Sequence, residues 1–454
     1  MIKKESINGW LSINEEEKKK IYDFCYDYIK FLNEVKTERE SVFYIREALI
    51  NNGFKDIFTI KELKAGDKVY MINKNKSIYA TIIGSNPVIM GANIIGSHID
   101  SPRLDLKPNP LYEENEQCLF KTHYYGGIKK YQWTCIPLSM HGIIVKSNGD
   151  IININIGDKD DEPIFTITDL LPHLSEKQND EKIKDAIKGE NLNILIGNIP
   201  LNYEESSKKL IVNILKEKYN IDEKDFISAE IEFVPSLNAK SLGFDESMIA
   251  GYGQDDRSCA YTSLMAFLEI EKPRNTCVAA FVDKEEIGSM GNTGMMSNSF
   301  DSFITKLIIK TNNNPYLIND LYGNSKMLSA DVGAAVDPMY TDSYDLYNAS
   351  YIGHGVELNK YTGSKGKSGA SDANAEYVGY VRNILEENDI IYQMSELGKV
   401  DLGGGGTIAY ILANKGIDVI DCGIPILSMH SPYEVSSKLD IYMAYKTYKS
   451  FYNN

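Results

Sequence analysis

The chain has 454 residues, 43% apolar and 25% charged, with a formal net charge of −16. That is an ordinary globular balance, long enough for two or three domains with buried cores. The acidic balance argues against a nucleic-acid surface, which needs basic patches, and no stretch reaches the roughly 20 apolar residues of a membrane helix.

Compartment is read from cysteines and the N-terminus. Cys25, Cys118, Cys135, Cys259, Cys277 and Cys422 form no Cys-x-x-Cys pair and no disulfide-like spacing. That pattern suits scattered buried thiols in a reducing compartment. The opening stretch MIKKESINGWLSINEEEKKK lacks the apolar core of a leader, so a cytoplasmic location is expected.

Residues 13–34 read as an amphipathic helix capped by Asn14, with Ile21, Phe24, Tyr28 and Phe31 at helical spacing. A second helix follows, ending near Gly53. Residues 68–83 read as a hairpin around Asn73 to Lys76. The apolar run Val88 to Ile95 reads as a buried strand that delivers Gly96-Ser97-His98-Ile99-Asp100 at its end. Residues 115–170 hold short alternating β segments, with a turn at Ser147-Asn148-Gly149. A polar stretch covers about 175–225. Residues 105–237 are therefore expected to be an inserted β-rich domain, which leaves 1–104 and 238–454 as two parts of one α/β domain.

From about 238 the β/α pattern resumes. Thr276 to Val282 feeds Asp283-Lys284-Glu285-Glu286, and Lys326 to Ala330 feeds Asp331. Val419 to Cys422 and Pro425 to Met429 precede His430. Ligands of open α/β sheets bind beyond the carboxyl ends of strands. His98, Asp100, Glu285, Glu286, Asp331 and His430 are thus expected to converge.

These residue types suit a pair of divalent ions, which needs a carboxylate bridge and terminal ligands on each side. His98 and His430 are candidate terminal ligands. Asp255, in Gly253-Gln254-Asp255-Asp256-Arg257 before an apolar helix, is a candidate bridge. Glu286 and Asp331 are candidates to complete one ion each. Glu285 is left to accept a proton, and Asp100 to orient the imidazole of His98. Each residue alone has a structural reading as a hydrogen-bonded His, a helix cap or a solvated turn.

The segments resemble the aminopeptidase I/aspartyl aminopeptidase family of two-zinc exopeptidases. The match runs through GSHIDSPRLDLKP, GYGQDDRSCAY, FVDKEEIGS, SADVGAAVDP and GIPILSMHSPYE, from about residue 90 to 435. The resemblance implies His98, Asp255, Glu286, Asp331 and His430 as ligands of two Zn2+ per subunit, with Co2+ or Mn2+ as substitutes. It implies Glu285 as general base and Asp100 as its supporting acid. It also implies a mixed-sheet catalytic α/β domain interrupted by a β-rich dimerisation domain, self-association into dodecamers built from dimers, and peptide substrates.

Departures from the family bear on specificity. DLLPHLSEK supplies His173 in the insertion, either reaching a neighbouring subunit's site or the metal, or structural. Acid-selective members carry a His where this chain has Ala334 and a Lys where it has Glu357. That predicts neutral or basic N-terminal residues (Leu, Lys, Arg) over acidic ones, with Glu357 as a substrate contact. The run Gly403-Gly404-Gly405-Gly406-Thr407 reads as a helix N-terminus, so Gly405 and Gly406 are candidate contacts to a substrate carbonyl. Gly366-Lys367-Ser368 lacks the first glycine of a P-loop, since Tyr361 stands there. The rival readings are a related two-zinc carboxypeptidase or deacetylase, and a non-catalytic self-assembling shell.

Overall fold

The computed structural model describes residues 7–203 and 206–454. The first six residues of the stretch read for a leader lie outside that range. Contacts divide the chain into two compact units. One comprises Met1–Asp100, Ala239–Met429 and Tyr433–Asn454; the other comprises Ser101–Asn238 and His430–Pro432.

The first unit is built on a nine-stranded mixed sheet. Its centre is Ala92–His98, flanked in parallel by Thr276–Val282 and Lys326–Ser329. Asp418–Gly423 continues the parallel run, and Val356–Asn359 joins it antiparallel. Both faces are covered, so the central strands read as near-continuous apolar runs. Side chains alternate between the two covering layers. Cys277, Ala279 and Phe281 enter one core, under the helices Glu15–Glu34, Gln254–Leu268 and Lys438–Asn453. Val278, Ala280 and Val282 enter the other, under Ser299–Lys310. A smaller five-stranded sheet includes Met248–Gly251, Glu434–Ser437 and Pro425–Leu427.

Local chemistry sets the element ends. Asn14 accepts the Glu17 N–H, and three acids occupy the first turn of Glu15–Glu34, where the helix dipole favours them. Thr37 and Glu40 form a capping box for Glu38–Asn51. The hairpin Lys68–Asn73/Ser77–Ile82 forms where expected. The run from Val88 does not form one strand. Val88–Met90 is a 3-10 turn, and Gly91, at φ 102°, reverses the chain before Ala92. A Cβ at Gly91 would lie 2.1 Å from the Asn324 carbonyl oxygen, so only glycine fits there.

The second unit carries a six-stranded antiparallel sheet in the order Ile151–Ile156, Leu138–Val145, Ala229–Pro235, Arg103–Glu114, Gln117–Tyr125 and Ile194–Gly197. Helix Ser207–Tyr219 accompanies it. Among the described residues no helix is long and apolar enough to cross a membrane.

Gly423 ends the strand beside Asp331, and a Cβ there would lie 1.6 Å from the Asp331 carbonyl oxygen. Backbone cannot yield that far without moving the strand. Gly423→Ala should cost about 3 kcal/mol, the upper end for overpacking, read as a lowered urea midpoint. A wild-type midpoint would contradict the close approach.

Candidate metal centre and active site

Register brings the first polar groups together. Val282 pairs with His98, so the segment Asp283–Glu286 starts level with the end of the central strand. Ser329 pairs with Gly96, which carries Asp331, two residues on, to the same level. Asp255 enters from the start of helix Gln254–Leu268, where its φ of −81° and ψ of 109° depart from helical values. The peptide bond between Asp255 and Asp256 is cis.

His98 sits at the centre and is 2% exposed. Its Nδ1 lies 3.0 Å from the Asp100 carbonyl oxygen and 3.3 Å from Asp100 Oδ1. Its Nε2 faces Asp255 Oδ1 at 3.1 Å and Asp331 Oδ1 at 3.7 Å. Asp100 has a second task. Its two carboxylate oxygens accept the backbone N–H groups of Glu285, at 3.1 Å, and Glu286, at 3.2 Å. Lys284, at φ 68°, and Gly288 turn this short segment, and Lys284 Nζ bonds Asp283 and Thr293. One carboxylate therefore ties the imidazole to the Glu285–Glu286 backbone.

The electrostatics are those of crowded acids. Burial would lower the His98 pKa, but hydrogen bonds to Asp100, Asp255 and Asp331 outweigh it and hold the imidazole well above its usual range. Burial lifts the half-buried Glu285 carboxyl to about 8; Asp331, Asp100 and Asp255 add to the rise and His98 opposes it. Burial and then Asp331 raise Asp256 well above the carboxylate range. Three overlapping sets have ligand atoms within 4.8 Å of one another: His98–Asp255–Glu286, His98–Glu285–Asp331 and Asp255–Asp256–Asp331. One imidazole among several carboxylates is a donor set that fits zinc, and divalent charge offsets the crowding. Asp256 belongs to this cluster, and its Oδ2 accepts the His98 N–H at 3.2 Å. Its acidic neighbour in Asp255-Asp256 was the only sequence signal for it.

The first unit thus gathers His98, Asp100, Asp255, Glu285, Glu286 and Asp331. His430 and His173 fall in the second unit. His430 Nδ1 donates to the Gly127 carbonyl at 2.8 Å. His173 lies exposed in the 3-10 turn Pro172–Leu174.

Two expectations are corrected. Glu357 is 1% exposed, and its carboxyl accepts bonds from Asn359 Nδ2 at 3.0 Å and Ser395 Oγ at 3.2 Å. It lies so close over Gly333 that a Cβ there would overlap it at 1.2 Å. A carboxyl enclosed in this way cannot reach a substrate side chain. The glycine run does not open a helix either. Gly404–Gly405 pairs with Gly363–Ser364 in an exposed two-stranded ribbon. The helix begins at Ala409, whose N–H bonds Thr407 Oγ1, and Gly406 lies exposed between the two.

A cluster in the second unit looks like a nucleophile with its base. Ser139 Oγ lies 2.9 Å and Asp158 Oδ2 3.2 Å from His141. Both approach the same nitrogen, Nε2, whereas a proton relay needs opposite ring nitrogens.

The sequence model of the aminopeptidase I zinc metalloprotease (M18) family matches residues 31–452. A probable M18 family aminopeptidase 1 from Clostridium acetobutylicum is 47% identical over 99% of each chain. The crystal structure of an M18-family aminopeptidase from Thermotoga maritima superposes with a TM-score of 0.95 at 44% identity, covering 100% of this chain and 99% of that one. The S. cerevisiae mApe1 dodecamer shares the fold, with a TM-score of 0.76 at 20% identity over 96% of this chain and 97% of that one. A family match of that span, with relatives nearly half identical end to end, means that the chain belongs to the aminopeptidase I zinc metalloprotease (M18) family and is an aminopeptidase, a hydrolase acting on peptide bonds.

Proposed function

We propose that the chain removes neutral or basic N-terminal residues from peptides at a site holding two Zn2+ ions. The observation that carries this reading is the set of buried carboxylates gathered within ligand distance of one another around His98. His98, Asp255, Glu286, Asp331 and His430 would hold the ions, with Asp255 shared between them. Bound zinc supplies polarisation of the scissile carbonyl and activation of water. Glu285 accepts the proton and returns it to the departing amine. Its raised affinity for a proton suits that task. Asp100 keeps Glu285 and His98 in mutual register through the bonds described above. The acidic surroundings attract a free α-ammonium group, which confines cleavage to chain ends.

The proton-transfer role is separable from metal holding. Glu285→Gln should retain two metal equivalents by elemental analysis, with Co2+ or Mn2+ able to replace zinc. Its turnover should fall by a factor on the order of 100 or more, as for loss of a general base. Near-wild-type turnover would remove Glu285 from the mechanism.

Specificity rests on charge. Ala334 is neutral where acid-selective relatives carry a His. The charges acting on Glu285 include Asp331, Asp100 and Asp255, with His98 opposing them. At Ala334 an acidic side chain finds no counter-charge, whereas a neutral one needs none. Leu- and Lys-linked chromogenic amides should be cleaved at least about tenfold faster than the Asp-linked one, a difference of about 1.4 kcal/mol in the barrier. Equal or faster Asp cleavage would overturn this.

We also assign the second unit a role in self-association, in the cytoplasm. All six cysteines are free thiols, in keeping with a reducing compartment. Edge strand Ile151–Ile156 exposes Ile151 at 60%, and Leu170, Leu171 and Leu174 are also exposed in this unit. The yeast fold relative is a dodecamer. His173 lies in the same turn as Leu174 and would approach a neighbour's site. Light scattering at micromolar concentration should give a multi-subunit mass, reduced by Ile151→Lys, since a charge on an edge strand opposes pairing. A fully active monomer would refute the assignment.

A further inference from the structure

Glu434 closes the motif that contains His430, and no part of the mechanism above uses it. It is 1% exposed and starts the strand Glu434–Ser437, where it pairs with Gly251. Its Oε2 accepts the backbone N–H of Asp255 at 3.1 Å. The first N–H groups of a helix have no intrahelical partner, so this one must bond elsewhere. The side chain of the same residue faces the site: Asp255 Oδ1 lies 3.1 Å from His98 Nε2.

The surroundings of Glu434 are built rather than incidental. Gln254 Nε2 donates to the Glu434 carbonyl at 2.8 Å and to the Ile249 carbonyl at 3.2 Å. Its Oε1 accepts from Ser436 Oγ at 2.6 Å and from Tyr28 at 3.4 Å. All four bonding positions of that buried amide are thus used. Arg257 is wholly buried close by. It donates to the Tyr252 carbonyl at 2.7 Å and lies within the attractive field of Glu434. A buried carboxylate beside other acids is tolerated only with such a counter-charge.

We propose that Glu434 is a positioning residue: its side-chain oxygen fixes the Asp255 backbone, and so sets the direction in which the Asp255 carboxylate faces a metal ion. This rests on Asp255 as a ligand, the reading given above. Partners one bond removed from a metal ligand typically change metal affinity by about 10–100-fold when lost.

Two conservative variants separate reach from charge. Glu434→Gln keeps the length and still offers an oxygen to the Asp255 N–H. Glu434→Asp keeps the charge but withdraws the carboxylate by one methylene. Metal-free protein is titrated with Co2+, reading affinity and the visible absorption band, which reports ligand geometry. The glutamine variant should keep the wild-type band and affinity. The aspartate variant should show a shifted band and an affinity weaker by about tenfold or more. Ser436→Ala, which touches Gln254 but not Asp255, should leave both unchanged. A wild-type band and affinity in E434D overturns the proposal, as does a glutamine variant impaired as badly as E434D. Wild-type protein that binds Co2+ no better than Asp255→Asn overturns the ligand reading itself, and this proposal with it.

Discussion

The governing constraint is repulsion among carboxylates that the fold forces together. Asp100, Asp255, Asp256, Glu285, Glu286 and Asp331 crowd around one imidazole, mostly shielded from water. Left alone, such a group resolves the conflict by taking up protons, and that is the direction in which Glu285 and Asp256 move. A bound divalent cation would resolve it without protons. The same repulsion that would loosen a metal-free site therefore supplies the driving force for loading it.

Holding like charges in place demands backbone anchors. Asp100 bonds two consecutive N–H groups of the Glu285–Glu286 segment. Glu434 bonds the N–H of Asp255, and Gly423 lets the neighbouring strand run against the Asp331 carbonyl. Each anchor acts on the main chain, leaving the side-chain oxygens directed inward. Glu434 and Gly423 lie in strands, and Asp100 follows two residues after the end of one.

Charge also shapes the surroundings of His98. The His98 imidazole opposes the acids acting on Glu285, and its ring is already engaged on both sides. Burial raises the pKa of the enclosed Glu357 carboxyl, and Asp331 adds to that rise.

The sequence by itself determined the parts whose signal is local. Apolar runs of strand length marked Thr276–Val282, and polar groups directly after such runs marked His98, Glu285, Glu286 and Asp331. Strand ends stay readable because burial on both faces shows as composition and the switch to polar residues is abrupt. Tertiary structure decided what depends on distant partners. Glu357 looked like an exposed specificity residue, but Asn359, Ser395 and the Gly333 backbone enclose it. The glycines at 403–406 looked like a helix start, but pairing with Gly363–Ser364 draws Gly404 and Gly405 into a ribbon. Asp256 and Glu434 carried no periodic or spacing signal, because their partners, His98 and Asp255, lie 158 and 179 residues away. Composition reports which faces are buried; only the folded chain reports which donor meets which acceptor.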